Sequence, residues 1–172
     1  SLHELELAAR VSDKILCING TCVERFGRPE EIFTPGYIAK LFSISSGSFD
    51  EESESMELEA PKGEATVFVI AGGGTGRGVY RSLQRKGIAF VTGVLYQNDL
   101  DYPVARALAT EVITEAAFEP ISEEQFEMAK RRLDCCEKVI CCKEKFGTFE
   151  RRNQELFDYA KMCGKQIEIN VG

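Results

Sequence analysis

A run of glycines is the part of this chain whose residue types point most directly to chemistry. The run consists of Gly72, Gly73, Gly74, Thr75 and Gly76. Glycines let a backbone come close to a ligand, and a helix beginning after Thr75 would present free N–H groups and a positive dipole end. These residues are therefore predicted to bind an anionic small molecule or a nucleotide phosphate. A tight strand-to-helix turn without a ligand is the alternative.

The glycine run fits the dinucleotide-binding fingerprint only in part. The pattern Gly-x-Gly-x-x-Gly fails in every register, and Ala71, Gly73 and Gly76 keep the spacing only with alanine in first place. An acidic residue about 20 positions after such a fingerprint normally accepts ribose hydroxyls. Asp99 stands 23 residues after Gly76 and is the predicted acceptor, although it lies past the end of its strand.

Two further residues, Cys142 and Thr148, are predicted to face the glycine run from another loop. Cys142 ends an apolar strand, and we expect a helix dipole to lower the pKa of its thiol and make it reactive. The chain has seven cysteines, including the pairs Cys135-Cys136 and Cys141-Cys142. Adjacent strand residues point to opposite faces, so the second pair does not converge on one ion, and no metal site is predicted. Most of the cysteines are expected to be buried small apolar residues.

The elements that would position these residues alternate between strand and helix over residues 64–172. Five apolar strands and four amphipathic helices predict an α/β fold, a Rossmann-like five-stranded parallel sheet with helices on both faces. A strand order of 3-2-1-4-5 would place the loops after the first and fourth strands side by side. The crevice between them is expected to be lined by the glycine run and by Cys142, Lys143, Gly147 and Thr148. Asp101 is expected to cap the second of these helices.

The first forty residues form a different pattern. A His-acidic-Leu-x-Leu-Ala segment begins at His3, Asn19-Gly20 separates two short apolar runs and predicts a type I′ hairpin, and Gly27-Arg28-Pro29-Glu30-Glu31 follows. This arrangement resembles the last part of the ATPase of ABC importers for iron chelates and vitamin B12. The resemblance implies a helix, β-hairpin and helix arm over residues 1–43. It also implies that His3 matches the switch histidine of the parent ATPase.

The same resemblance limits what the chain can do alone. No phosphate-binding Gly-x-x-x-x-Gly-Lys-Ser/Thr loop precedes His3. The chain is therefore not expected to hydrolyse ATP, whereas the parent protein would bind ATP and Mg²⁺. Ser1 is expected to lie inside a longer chain. The parent would be peripheral to the cell membrane on its cytoplasmic side and would contact membrane permease subunits.

Charge and composition separate the two regions. The net charge is −7, and a run of acidic residues without Lys or Arg lies in residues 50–59. Residues 44–63 are therefore interpreted as an acidic linker, with a strand around Met56 as the alternative. Nothing resembles a signal peptide or a membrane span, and a concentrated basic surface for nucleic acid is missing. A cytoplasmic chain is predicted, and its apolar N-terminal faces favour a homodimer.

The predicted function combines the two regions. Residues 64–172 are expected to be the regulatory domain of an iron-chelate or cobalamin importer ATPase, with a small molecule in the crevice. His3 is the only histidine, so no Ser-His or Cys-His pair can form within this domain. A nucleotide-dependent enzyme domain and a structural dimerisation domain are the alternatives.

Overall fold

The computed structural model describes residues 7–8, 11–34, 37, 48–50, 55–57 and 60–170. The chain divides into two compact units, Ser1–Glu59 and Ala60–Gly172. His3 lies outside the described residues, as does most of the second helix predicted for the arm of residues 1–43. Among the described residues, no helix has the length and apolar character that crossing a membrane requires.

The first unit contains the predicted hairpin. Strand β1 (Ile15–Asn19) pairs antiparallel with β2 (Cys22–Gly27), and a short helix α1 (Pro29–Ile32) follows. The turn differs from the prediction, because Asn19 pairs with Cys22 and the connecting residues are Gly20 and Thr21. Gly20 has a φ of 61°, but Thr21 does not have a positive φ, so the two positive φ values of a type I′ turn are not present.

Part of the predicted acidic linker is structured. Strand β3 (Ser48–Asp50) pairs antiparallel with β4 (Ser55–Glu57), and Phe49 is opposite Met56. These two strands form a separate two-stranded sheet and do not extend the larger sheet. A strand at Met56 is therefore present, but its partner is β3 and not an edge of the larger sheet.

The second unit is the predicted α/β domain. Its elements in chain order are β5 (Val67–Ile70), α2 (Arg77–Arg85), β6 (Phe90–Tyr96), α3 (Tyr102–Leu108), β7 (Glu111–Glu115), α4 (Glu123–Cys135), β8 (Lys138–Cys141), a 3₁₀ turn (Thr148–Glu150), α5 (Arg151–Met162) and β9 (Gln166–Ile169). All neighbouring strands are parallel, in the order β7-β6-β5-β8-β9. This is the 3-2-1-4-5 order, so the predicted fold class is confirmed.

Local signals account for most of these boundaries. Ser122 caps α4 by accepting a hydrogen bond from the Gln125 N–H, and Pro103 lies in the first turn of α3. Gly87 and Gly164 have φ values of 66° and 67° just after α2 and α5, the left-handed conformation that commonly ends a helix. The sequence therefore carries its own start and stop signals for the helices.

The sheet separates two apolar layers. On one face, Phe68, Ile70, Val139 and Cys141 pack with residues of α4 and α5. On the other face, alternate residues of the same strands pack with α2 and α3, among them Val67, Val69, Ile140 and Cys142. Cys141 and Cys142 thus lie in different layers, as strand alternation requires. Both faces are covered, which explains why the central strands are apolar throughout.

Asn153 on α5 stabilises an irregular part of β6. The β6–β7 register shifts between Thr92 and Leu95, and Gly93 lies there so close to β7 that a Cβ would be 2.7 Å from the Ile113 carbonyl oxygen. The buried Asn153 side chain accepts a hydrogen bond from the Val94 N–H (3.0 Å) and donates one to the Val94 carbonyl (2.9 Å). The amide thus replaces the strand partner that Val94 lacks at the bulge.

Candidate functional site

The carboxyl ends of β5, β6 and β8 bring three loops together around Gly72. A Cβ built on Gly72 would be 3.2 Å from both Asp99 Oδ2 and Glu150 Oε1 and 3.5 Å from Lys143 Nζ. Asp99 comes from the loop after β6, and Lys143 and Glu150 come from the loop after β8. The predicted meeting of the first and fourth loops is therefore observed, at the point in a doubly wound sheet where ligands usually bind.

The glycine run needs glycine for its backbone conformation. Gly72, Gly73 and Gly74 have φ values of 149°, 69° and 91°, a region that side chains other than hydrogen rarely tolerate. Thr75 stabilises the turn, because its hydroxyl donates to the Gly72 carbonyl oxygen at 3.0 Å. Glycine is needed at position 76 for a different reason, because a Cβ there would be 2.5 Å from the ring of Tyr80. The run is thus a tight connection into α2.

Two carboxyl groups accept hydrogen bonds from the N–H groups of this run. The Gly73 N–H donates to both oxygens of Asp99, at 3.0 and 2.9 Å, and the Gly76 N–H donates to Asp101 Oδ2 at 3.0 Å. Asp99 Oδ1 also accepts from the Asp101 N–H at 2.8 Å. The donors on which the predicted anion site depends at Gly73 and Gly76 are therefore already used within the chain.

Asp101 does not have the role predicted for it. Its backbone precedes α3, but its side chain makes no capping hydrogen bond to that helix and instead reaches the start of α2. The residue is completely buried, and among the described residues its Oδ1 is a buried oxygen without a hydrogen-bond partner. Burial raises the pKa of the Asp101 carboxyl, and the Gly76 N–H opposes this effect. Asp101 therefore connects the loop after β6 to the glycine run.

Lys143 and Glu150 form an ion pair in which both side chains are largely covered, with 13% and 20% of their surfaces exposed. Glu150 Oε2 also accepts from the Gly147 N–H at 2.9 Å, which fixes the carboxylate at the start of the 3₁₀ turn. Sequence reasoning placed Lys143 at the crevice but missed Glu150. Glu150 lies three residues after Gly147, and this capping-box spacing is the sequence signal from which it could have been predicted.

The structure contradicts the prediction of a reactive thiol at Cys142. The side chain is completely buried in the layer that contains Tyr80 and Val69. Burial raises the pKa of the Cys142 thiol to about 12, which is opposite to the shift expected from a helix dipole. Thr148 is exposed at the first residue of the 3₁₀ turn. The side chains that meet at Gly72 are therefore Asp99, Lys143 and Glu150.

Asp99, Lys143 and Glu150 bring two carboxylates and an ammonium group together beside Gly72, and Lys143 is paired with Glu150. Within the described part of the chain, no group of three or more His, Cys, Asp or Glu residues is arranged to hold a metal ion. Exposed apolar side chains lie near the cluster, Leu100 beside Gly74 and Phe149 beside Glu150. Charged residues and exposed apolar residues thus occur together in these loops.

The fold is that of a Rossmann-like α/β domain, and the contacts around Gly72 lie at its topological switch point. The chain belongs to the MJ0874 family, whose model matches residues 90–169. It is 32% identical over 74 residues to the uncharacterized protein MJ0874 of Methanocaldococcus jannaschii, a match that covers 43% of this chain and 80% of that protein.

The chain is also similar to ATP-binding proteins of ABC transporters. It is 33% identical over 96 residues to the uncharacterized ABC transporter ATP-binding protein MJ0873 of Methanocaldococcus jannaschii, covering 55% of this chain and 33% of that protein. It is 25% identical over 125 residues to the cobalamin import ATP-binding protein BtuD of Halobacterium salinarum, covering 69% of this chain and 31% of BtuD. The chain thus spans about a third of the length of these two relatives. No solved structure is significantly similar to it.

Proposed function

We propose that this chain is the C-terminal portion of an ABC importer ATPase, in which Ala60–Gly172 is a regulatory domain that binds a small molecule. The observation that supports this most is the pair of similarities to MJ0873 and MJ0874. MJ0873 is an ABC transporter ATP-binding protein, and the match covers 33% of its length. The match to MJ0874 covers 80% of that protein. The match of the MJ0874 family model to residues 90–169 supports a second unit that folds alone, and in this proposal that unit acts on the ATPase.

The name of BtuD, together with the pattern that begins at His3, supports an importer of the cobalamin or iron-chelate class. In this proposal the parent protein binds ATP and Mg²⁺, pairs with a second copy, and lies against permease subunits at the cytoplasmic side of the membrane. His3 is its switch histidine, and the first unit is the end of its ATPase domain. The second unit has no part in hydrolysis.

The side chains at the crevice favour a regulatory role over a catalytic one. Cys142 is buried with a raised pKa, and Lys143 is engaged by Glu150. Neither side chain is therefore prepared to act as a nucleophile or a base. The carboxylates of Asp99 and Glu150 beside Gly72 can accept further hydrogen bonds from a ligand, and residues 44–63 are the route by which occupancy would alter transport.

The test is made on the parent ATPase with its permease in proteoliposomes. Removal of residues 60–172 is expected to leave ATP hydrolysis intact but to change the rate of cobalamin or iron-chelate uptake several-fold. Asp99→Asn is expected to change uptake in the same direction. Glu119→Gln, on an exposed loop after β7, is the matched control and should behave as the wild type. Equal uptake by the shortened and complete proteins would contradict the regulatory role.

A further inference from the structure

Strand β9, at one edge of the five-stranded sheet, has an open side. It pairs only with β8, and the N–H groups of Gln166 and Asn170 donate to carbonyl oxygens on that side, at 3.3 and 2.9 Å. Backbone groups alternate in direction along a strand, so those of Ile167 and Ile169 point away from β8. Within the described part of the chain these groups have no hydrogen-bond partner. Such a row of groups is a template for a further strand.

The residues along this edge read the same in both directions by type. Gln166 and Asn170 both carry amides, Ile167 and Ile169 are identical, and Glu168 is in the centre. A two-fold contact between identical chains requires a surface that is complementary to itself. Antiparallel pairing of two β9 strands about Glu168 places each Ile167 opposite Ile169 of the second copy. The same register places the amide of Gln166 opposite that of Asn170.

The open backbone groups fit this register. Ile167 and Ile169 of the second copy form a hydrogen-bonded pair of an antiparallel ladder, in which both N–H···O bonds are exchanged. Their side chains share one face of the sheet, where Ile169 is 65% exposed and Ile167 packs beside the layer with α4 and α5. Pairing would therefore satisfy the outward backbone groups and cover the exposed Ile169 at the same time.

Glu168 faces its own copy in this arrangement, and like charges directly opposite each other are destabilising. Each Glu168 forms an ion pair with Lys138 of the same chain, and the hydrogen bond in this pair lowers the pKa of the Glu168 carboxyl. The lysine offsets the negative charge within each chain. Some repulsion between the two carboxylates remains, and its removal is a specific test of the register.

The opposite edge of the sheet, β7, is protected from such pairing. Its register with β6 shifts between Thr92 and Leu95, whereas that of β9 with β8 is regular. Strand β7 also begins at Glu111 and ends at Glu115, so pairing with itself would place carboxylates opposite each other. Register irregularities and charged residues commonly keep sheet edges from pairing. The edge suited to a partner is therefore β9.

We propose that two copies of this chain pair through β9, antiparallel about Glu168, so that their sheets form one continuous sheet. The partner is a second copy because the order of residues in β9 is complementary to itself. This contact differs from the homodimer expected from sequence, which uses apolar faces of the N-terminal residues. It depends neither on a ligand in the second unit nor on the regulatory role.

The first test uses the wild-type full chain, labelled with ¹⁵N, at concentrations from low micromolar to millimolar. Sedimentation equilibrium is expected to show a monomer–dimer equilibrium. Over the same range, hydrogen exchange of the Ile167 and Ile169 N–H groups should slow several-fold, because the ladder between copies protects them. The N–H groups of Gln166 and Glu168 face β8 and should exchange at an unchanged rate.

Substitutions at the edge test the side-chain contacts. Ile169→Lys places a charge in the apolar pair and is expected to raise the dissociation constant of the dimer by more than about tenfold. Met162→Lys is the matched control, because Met162 is also a large apolar residue and is 85% exposed, at the end of α5. Glu168→Gln removes the facing charges and should lower the dissociation constant several-fold, a gain that a misfolded variant would not give.

Cysteine cross-linking measures the register directly, in a chain whose exposed Cys22, Cys135 and Cys163 are replaced by serine. Glu168→Cys places two cysteines opposite each other, within the Cα separation of about 4.4–6.8 Å that a disulfide needs. Gln166→Cys places its two cysteines about 13 Å apart along the paired strands. Glutathione disulfide is expected to cross-link the first variant and not the second.

Three results would overturn the proposal: a monomer at every concentration, equal cross-linking of the two cysteine variants, and a dimer that Ile169→Lys does not weaken. The third result would indicate a contact elsewhere, as in the homodimer expected from the N-terminal residues. None of these measurements uses ATP hydrolysis, uptake or a ligand. The regulatory role is decided separately by transport of the parent with and without residues 60–172, so the two proposals can fail independently.

Discussion

At the scale of single residues, the loss of the Asn153 side chain is expected to lower the free energy of unfolding the most for its size. It is 1% exposed and satisfies both backbone groups of Val94, 59 positions away in the chain. Asn153→Ala leaves two buried polar groups without partners and is expected to lower the free energy of unfolding by about 2–4 kcal/mol. Urea denaturation followed by circular dichroism measures this loss.

The control for that variant is the neighbouring Gln154→Ala. Gln154 donates to Asp158 on the exposed side of the same helix, at 3.2 Å. Its removal should change the free energy of unfolding by less than about 0.5 kcal/mol. Similar losses in the two variants would show that the Val94 contacts contribute little.

The cysteines provide a second prediction at this scale. Cys135 and Cys163 are exposed, whereas Cys142 is buried and its thiol has a pKa raised to about 12. Iodoacetamide at neutral pH is expected to modify Cys135 and Cys163 and to leave Cys142 unmodified until the protein unfolds, because the thiolate is the reactive form. Peptide mass spectrometry before and after denaturation measures the order. Modification of Cys142 in the folded chain at the rate of Cys163 would contradict the burial described here.

At the scale of elements, the start of α2 distinguishes two glycines that are only two positions apart. A Cβ at Gly76 would be 2.5 Å from Tyr80 Cζ and 2.8 Å from the Ala71 Cβ, whereas a Cβ at Gly78 would meet nothing within 4 Å. Gly76→Ala is expected to destabilise the chain by about 1–3 kcal/mol through overpacking. Gly78→Ala is expected to stabilise it by about 0.5–1 kcal/mol, because alanine is the better helix former. Thermal unfolding of both variants is the measurement, and shifts of the same sign would refute the distinction.

The elements themselves were largely predictable, since their signals are local. Helix ends are marked by Ser122, Gly87 and Gly164, and these signals do not depend on distant parts of the chain. The apolar runs of β5 and β6 indicate strands that are covered on both faces. The candidate site was less predictable because its contacts join distant positions. Asp101 preceded a helix and suggested a local cap, yet its hydrogen-bond partner is 25 residues earlier. Similarly, the position of Cys142 at the end of its strand did not indicate that its side chain is buried in the layer with Tyr80.

At the scale of the whole molecule, the second unit is expected to fold without the first. Each unit is compact by itself, and 80% of MJ0874 is covered by its match to this chain. The chain of residues 60–172 should unfold in a single cooperative transition, with a midpoint within about 4–8 °C of that in the full chain, a range equivalent to ~1 kcal/mol. Differential scanning calorimetry of both chains tests this. A shortened chain without a cooperative transition would contradict the division into two units.

The hydrogen bond between Asp101 and Gly76 also has a consequence for the order of folding. During synthesis the glycine run and α2 leave the ribosome before β6 and the loop that carries Asp101. The first turn of α2 therefore lacks its carboxyl partner until 25 further residues have been made and β6 has paired with β5. Closing that stretch of chain requires entropy to be lost before the contact is gained. The glycine run therefore gains its full set of hydrogen bonds only when the loop after β6 is in place.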